Sequence, residues 1–99
     1  MSHELIIRPE VEAEISETFS WYEDRASGLG SEFLLSVDAL MNSIVRNPQQ
    51  YPVVHKTIRR ALVRRFPYQV FVLDEEETVV VIAVFHARRN PRHWQERQY

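Results

Sequence analysis

A run of seven apolar residues at positions 79–85, VVVIAVF, constrains the fold more than any other feature of this sequence. If the run is extended, both of its faces are apolar, which is typical of a strand inside a sheet with packing on both sides. The run leads directly into His86 and then into Arg88, Arg89 and Arg92. We therefore expect the most buried strand to end at the most basic surface, where a rigid strand would hold these charges in place.

The N-terminal part of the chain predicts a strand followed by a helix. Residues 4–8, ELIIR, form a short segment rich in β-formers, and Pro9 is favourable at the first position of a helix. Glu10, Glu12 and Glu14 suit the positive end of that helix. Apolar residues at spacings of four and three predict one apolar stripe that runs to about residue 26. The stripe consists of Val11, Ile15, Phe19, Tyr22 and Ala26.

A second helix is predicted after the short segment SGLGS at residues 27–31. Gly28 and Gly30 favour left-handed backbone there, and Ser31 is expected to cap a helix that stops before Pro48. So short a connection makes the two helices antiparallel, so residues 9–47 predict a helical hairpin with an apolar seam. The second helix contributes Phe33, Leu34, Val37, Leu40, Met41 and Ile44 to that seam.

Beyond residue 52 the pattern changes from helical to extended. Three strands are predicted, at residues 57–65, 68–74 and 78–85, with a tight acidic turn between the last two. The order strand, helix, helix and three strands predicts one α+β domain over residues 1–99, with the hairpin packed on a mainly antiparallel sheet. The second face of the last strand needs an apolar cover, and an open face there would be a partner site.

Charge is divided unevenly along the chain. Residues 1–55 contain three arginines and nine acids, a balance of -6, whereas residues 56–99 contain nine Lys and Arg and five acids, a balance of +4. These sum to the net charge of -2. Local fields steer encounters even when the total is small, so the C-terminal half is expected to meet phosphates or an acidic surface. The alternative is a charged face that contacts solvent alone.

Two basic clusters carry this charge. The first is a basic row on the strand at 57–65, which either faces phosphates or protects an edge strand from aggregation. It consists of Arg59, Arg60, Arg64 and Arg65. The second follows the apolar run, where Trp94 and Tyr99 could stack on a base or pack on the core. It consists of His86, Arg88, Arg89, Arg92 and His93.

Several other site types are not predicted. The chain has no cysteine, its four histidines lack ligand spacing, and its two glycines cannot build a phosphate loop, so we expect no metal and no cofactor. His86 is the one credible general acid or base, although it could equally cap the strand. Without a signal pattern or an apolar span, the protein is expected to stay in the cytoplasm and off the membrane.

The chain resembles a known family over nearly its whole length, most specifically in the C-terminal half. The predicted element order, RRFPYQVFV at residues 64–72 and VVVIAVFHARRNPRHWQER at residues 79–97 resemble the ParE branch of the ParE/RelE toxins of bacterial type II toxin–antitoxin systems. The resemblance implies a toxin that poisons DNA gyrase and blocks replication, without enzymatic chemistry of its own. We expect Arg88, Arg89, Arg92 and Trp94 to contact gyrase, its DNA, or both.

The same resemblance leaves an alternative, since RelE-type members are ribosome-dependent mRNA endoribonucleases on the same fold. The participants would be Arg65, His86, Arg88 and Tyr99. That branch commonly starts its third strand with an arginine, whereas this chain has Tyr68. Losing a cation near the reacting phosphate weakens this alternative. A non-catalytic nucleic-acid-binding module that uses the arginines alone is a further alternative.

The resemblance also implies a partner, a cognate ParD-like antitoxin that forms a hetero-oligomer with the toxin. Such antitoxins often have acidic, amphipathic tails, and we expect one to lie across the helical hairpin and to reach the basic sheet. The residues expected to contact it are the apolar ones of the hairpin. They are Val11, Ile15, Phe19, Tyr22, Leu34 and Met41.

Overall fold

The computed structural model describes residues 3–97 and has the α+β architecture that the sequence predicts. In chain order its elements are β1 (Glu4–Ile7), α1 (Pro9–Arg25), α2 (Leu29–Arg46), a 3-10 turn (Pro48–Gln50), β2 (Val53–His55), β3 (Ile58–Leu62), β4 (Tyr68–Glu75), β5 (Thr78–His86) and α3 (Arg92–Gln95). The predicted strand, helical hairpin and three-strand order is confirmed. The short strand β2, the 3-10 turn and α3 were not predicted.

The five strands form one sheet in the order β1-β5-β4-β3-β2. β1 lies parallel to β5, with Ile7 opposite Val81, and the other neighbours are antiparallel. The chain between β1 and β5 contains both helices and three strands, which is more than the crossover length that a parallel pair requires. β5 therefore lies between β1 and β4, which confirms that the apolar run forms an interior strand.

The hairpin covers one face of the sheet. Val11 of α1 and Phe33, Val37, Met41 and Ile44 of α2 are buried against the inward valines of β4 and β5. Truncating one of the largest of these, Phe33, to alanine would cost about 3–5 kcal/mol. The apolar seam of the hairpin is thus the main contact between helices and sheet.

The second face of the sheet is covered by the chain itself. Trp94 of α3 stacks on Phe71 of β4, with ring centroids 4.1 Å apart and planes at 17°. Ile58, Ile82 and Phe85 are buried in the same cluster. The expected apolar cover is therefore present, and within residues 3–97 the centre of this face is not open to a partner.

The connection between the helices differs from its prediction. Gly28 has the expected left-handed backbone, with φ of 89°. Gly30, however, lies within α2, where a β-carbon would come within 2.5 Å of the Phe19 carbonyl oxygen. Ser31 does not cap the helix, because α2 already begins at Leu29. Gly30 is thus explained by close helix packing and not by its backbone freedom.

A carboxylate from α1 replaces the predicted serine cap. Glu23 accepts hydrogen bonds from the backbone N–H groups of Gly28 (3.2 Å), Gly30 (2.8 Å) and Ser31 (3.2 Å). The first N–H groups of a helix lack partners within the helix, and they carry its positive end. One side chain therefore satisfies three donors and ties the two helices together at their connection.

Candidate functional site

The candidate site is the basic segment that follows β5, and its backbone is fixed by hydrogen bonds. The N–H of Ala87 donates to the Pro67 carbonyl (2.8 Å), and the N–H of Arg89 donates to the His86 carbonyl (2.9 Å). The N–H of Arg88 donates to Nδ1 of His86 (3.0 Å). The arginines therefore start from an ordered loop, which reduces the entropy lost on binding.

The charges of this segment are exposed and sparsely neutralised. Arg92 pairs with Glu96 at 3.9 Å, and both side chains are open to solvent. The Arg89 guanidinium lies 4.0 Å from the centroid of the Phe85 ring, a cation–π contact. Within residues 3–97, no carboxylate lies within 4.0 Å of the charged nitrogens of Arg88 or Arg89. Arg88, Arg89 and Arg92 together form what we call the basic cluster.

Trp94 does not belong to the exposed surface. It is 7% exposed, is stacked on Phe71, and meets the His55 ring edge-on at 5.9 Å. The expectation that Trp94 contacts a target is corrected, because the apolar second face of the sheet requires this ring as its cover. Its role is to fix α3, and thereby the position of the basic cluster.

An ion pair that the sequence did not reveal fixes the other end of this segment. The Arg97 guanidinium lies 2.9 Å from the Glu14 carboxylate of α1, with the two side chains 19% and 17% exposed. Arg97 also donates to the Ile82 carbonyl at 2.8 Å, and the Val84 N–H donates to Glu14 at 3.2 Å. The pairing of β1 with β5 ends at Val81. Beyond that point, Glu14 and Arg97 take the place of β1 as hydrogen-bond partners for the backbone groups of β5.

The four arginines of the predicted basic row do not share a strand. β3 ends at Leu62, so Arg64 and Arg65 lie in the following turn, and the predicted placement of all four on one strand is corrected. Arg59 is partly buried and structural, since it donates to the Tyr51 carbonyl at 2.7 Å and lies 3.5 Å from Asp74. Arg60 points to the second face, beside Phe71, and its buried Nε has no hydrogen-bond partner among the described residues.

The apolar hairpin residues expected to hold an antitoxin are largely committed to the core. Val11 is 0% and Met41 is 4% exposed, so the expectation is corrected for these two. Ile15, Tyr22 and Leu34 are partly buried and pack against the same core, and Phe19 is partly buried. The apolar seam of the hairpin, which the sequence suggested as a partner site, packs against the sheet.

The residues expected to serve a nuclease are only partly brought together. His86 lines a cleft of about 430 Å³ between α1 and the sheet, with Trp21, Tyr22 and Tyr68. The rings of Tyr68 and His86 lie 5.3 Å apart. Burial, and secondarily the nearby Tyr68, raises the pKa of Tyr22, so its hydroxyl is neutral at pH 7.

The remaining nuclease candidates lie elsewhere. Arg65 pairs at 3.3 Å with Glu32 of α2. Tyr99 lies outside the described residues. Across residues 3–97, no group of three or more His, Cys, Asp or Glu side chains is placed to hold a metal ion. The same part of the chain contains no helix that is long and apolar enough to cross a membrane.

Comparison with known proteins gives consistent matches. A family model described as "ParE toxin of type II toxin-antitoxin system, parDE" matches residues 5–91. Toxin ParE2 of Mycobacterium tuberculosis, strain CDC 1551 / Oshkosh, is 30% identical over 92 residues, which cover 92% of this chain and 88% of the relative. Toxin ParE2 of strain ATCC 25618 / H37Rv matches with the same identity and coverage.

Solved structures share the fold at low sequence identity. A chain of the "Chromosomal ParDE TA system from P. aeruginosa" has a TM-score of 0.76 and 9% identity, covering 86% of this chain and 96% of its own. A mutant of E. coli toxin RelE in the free state has a TM-score of 0.65 and 17% identity, and the match covers 89% of this chain and 86% of the RelE chain. At these identities the likeness concerns the fold alone.

Proposed function

Because the chain belongs to the ParE toxin family of type II toxin–antitoxin systems, we propose that it inhibits DNA gyrase in the cytoplasm and so blocks replication. A cognate ParD-like antitoxin neutralises it in a hetero-oligomeric complex. The observation that carries this proposal is the basic cluster, in which Arg88 and Arg89 are held on an ordered loop with no carboxylate beside their charges among residues 3–97.

The cluster is suited to an anionic surface. Guanidinium groups bind carboxylates and phosphates in fixed, two-pronged geometry, and a gyrase bound to DNA offers both. Two contacts fix the segment that follows the loop, namely the stack of Trp94 on Phe71 and the ion pair of Arg97 with Glu14. The cluster therefore meets its target as a preformed surface, and the toxin acts by binding, with no covalent step of its own.

Substitution of the cluster tests the proposal. The double variant R88A/R89A should keep the fold, because both side chains are exposed, and should need at least about tenfold more protein to inhibit supercoiling by purified gyrase. The matched control is R46A, which removes an exposed arginine from the end of α2. Equal inhibition by wild type and R88A/R89A would refute the assignment of the cluster.

Ribosome-dependent mRNA cleavage is a second candidate, favoured by one observation. Nδ1 of His86 accepts the Arg88 N–H, so the neutral imidazole carries its proton on Nε2, in a cleft beside Tyr68. H86Q would then abolish cleavage of mRNA on programmed ribosomes while gyrase inhibition stays unchanged. A third candidate, plain nucleic-acid binding by the arginines, requires binding to naked DNA that weakens steeply with salt.

A further inference from the structure

β1 is an edge strand, and one side of it is not paired with another strand. The sheet begins β1-β5, so β1 has β5 on one side and, within residues 3–97, no strand on the other. The Glu4 N–H donates to the Glu77 carbonyl, next to β5, at 2.9 Å. Backbone groups of a strand point to the same side at every second residue, so those of Ile6 also face β5. Leu5 and Ile7 therefore direct their N–H and C=O groups to the outer edge.

The side chains of β1 divide between the two faces of the sheet. Leu5 and Ile7 pack on the core beneath the helical hairpin. Ile6 lies on the second face, opposite Val80 of β5, and is 43% exposed. Natural edge strands commonly carry a charge or a proline at such a position, which prevents pairing with another chain. β1 instead has an apolar residue at the centre of its outer edge, which favours pairing.

The charges that flank Ile6 specify how a second copy of the chain can pair. Glu4 and Arg8 each lie two positions from Ile6, the backbone of Arg8 is still extended, and alternate residues of a strand share a face. In an antiparallel pair centred on Ile6, Glu4 of each copy is opposite Arg8 of the other, whereas a parallel pair in register would place like charges together. Opposite charges at directly opposed positions stabilise a pair of strands, and like charges destabilise it. The segment ELIIR is thus complementary to itself in the antiparallel direction.

The same register also joins the outward backbone groups. With Ile6 opposite Ile6 of the second copy, Leu5 is opposite Ile7 of the second copy. Residues directly opposite in an antiparallel pair alternate between those that exchange both N–H···O bonds and those that exchange none. Leu5 and Ile7, whose groups face the outer edge, fall at the bonding positions, and Ile6 falls at the non-bonding position, where side chains are closest. Backbone, apolar and charged groups therefore select one arrangement.

We propose that β1 is a self-association surface, through which two copies of the chain form an antiparallel β1–β1 pair around a two-fold axis. The same patch serves both copies, as in other interfaces of this symmetry, and the two sheets join into one. β5 runs parallel to β1 in each copy, so the two basic clusters, which follow β5, lie towards opposite ends of the joined sheet. The contact surface is small, so we expect a weak dimer with a Kd of about 10–100 µM.

The test measures self-association of the full chain by sedimentation velocity, at concentrations from about 1 µM to about 1 mM, which bracket the expected Kd. I6K places like charges opposite each other at the centre of the pair and should weaken the dimer by more than about tenfold. V53K is the matched control, because Val53 is 51% exposed on β2, the other edge strand. It should change the dimer Kd by less than about twofold. Both side chains are exposed, so both variants should melt close to the wild type.

A charge exchange tests the register itself. E4R alone and R8E alone each place like charges opposite each other in a homodimer, so each should weaken association by about 3- to 30-fold. In an equal mixture of the two variants, the heterodimer has opposite charges at both positions and should associate about as tightly as the wild type. Thermal melts of each variant, followed by circular dichroism, check that it folds.

Amide hydrogen exchange locates the contact. Exchange at Leu5 and Ile7 should slow as the concentration rises through the Kd, whereas exchange at Ile6, whose N–H already faces β5, should change less. Four results would each overturn the proposal: a wild-type monomer at about 1 mM, equal association of I6K and wild type, loss of the dimer with V53K alone, or a mixture of E4R and R8E that associates no better than either variant. None of these measurements involves gyrase, so their outcome is independent of the proposed function.

Discussion

Replacing Arg97 with alanine should destabilise the protein by about 2 kcal/mol, because this one side chain makes two partly buried contacts. The guanidinium pairs with Glu14 at 2.9 Å and donates to the Ile82 carbonyl at 2.8 Å. A fully buried pair costs about 3–5 kcal/mol to break and an exposed one about 0–1 kcal/mol. Arg97 and Glu14 are 19% and 17% exposed, which places the cost between these limits.

For a domain of this size, about 2 kcal/mol corresponds to a fall in Tm of about 8–16 °C. Thermal unfolding followed by circular dichroism measures it. R92A is the control, since it breaks the exposed pair of Arg92 with Glu96 at 3.9 Å and should change stability by less than about 0.5 kcal/mol. E14Q and the double variant E14Q/R97A complete a double-mutant cycle, in which the coupling free energy between Glu14 and Arg97 should be about 1–2 kcal/mol. Equal melting of R97A and R92A would refute the reasoning.

Three further changes test other contacts. E23A should cost about 1–2 kcal/mol, because three N–H donors of α2 lose their acceptor, and D24A beside it should cost little; urea unfolding compares them, and equal midpoints would contradict the cap. W94A should cost about 3–5 kcal/mol and also weaken gyrase inhibition, while normal inhibition at full stability would contradict its positioning role. Tyr22 has a raised pKa in the folded state, so its contribution to stability is constant below the usual tyrosine value of about 10 and falls as pH rises above it. Y22F should lose less stability than wild type between about pH 9 and 11 in thermal melts, and identical profiles would contradict this.

Much of the fold follows from local patterns in the sequence. The apolar run at 79–85 predicts an interior strand, and the stripes of α1 and α2 predict the hairpin, because burial at a fixed period leaves a direct trace. β2 and α3 leave no such trace. β2 has three residues and α3 has four, so neither is long enough for a period to appear.

The candidate site was predicted in composition and only partly in geometry. The basic cluster follows directly from its position after β5. The role of Trp94 was ambiguous in the sequence, because a tryptophan beside arginines fits both a binding surface and a cover for an apolar face. Its stack on Phe71 shows that it covers the apolar face. The pair of Glu14 and Arg97 spans 83 positions of the chain, and the contacts of Arg59 and Glu23 also depend on tertiary packing. No local pattern encodes such contacts.

The central claim is most directly tested by adding the purified protein to gyrase and relaxed plasmid and measuring supercoiled and linear DNA on gels. The account predicts a dose-dependent loss of supercoiling, which the cognate antitoxin reverses and which R88A/R89A lacks at concentrations where R46A inhibits fully. Undiminished supercoiling at saturating wild-type protein would contradict the account and redirect attention to mRNA cleavage on ribosomes.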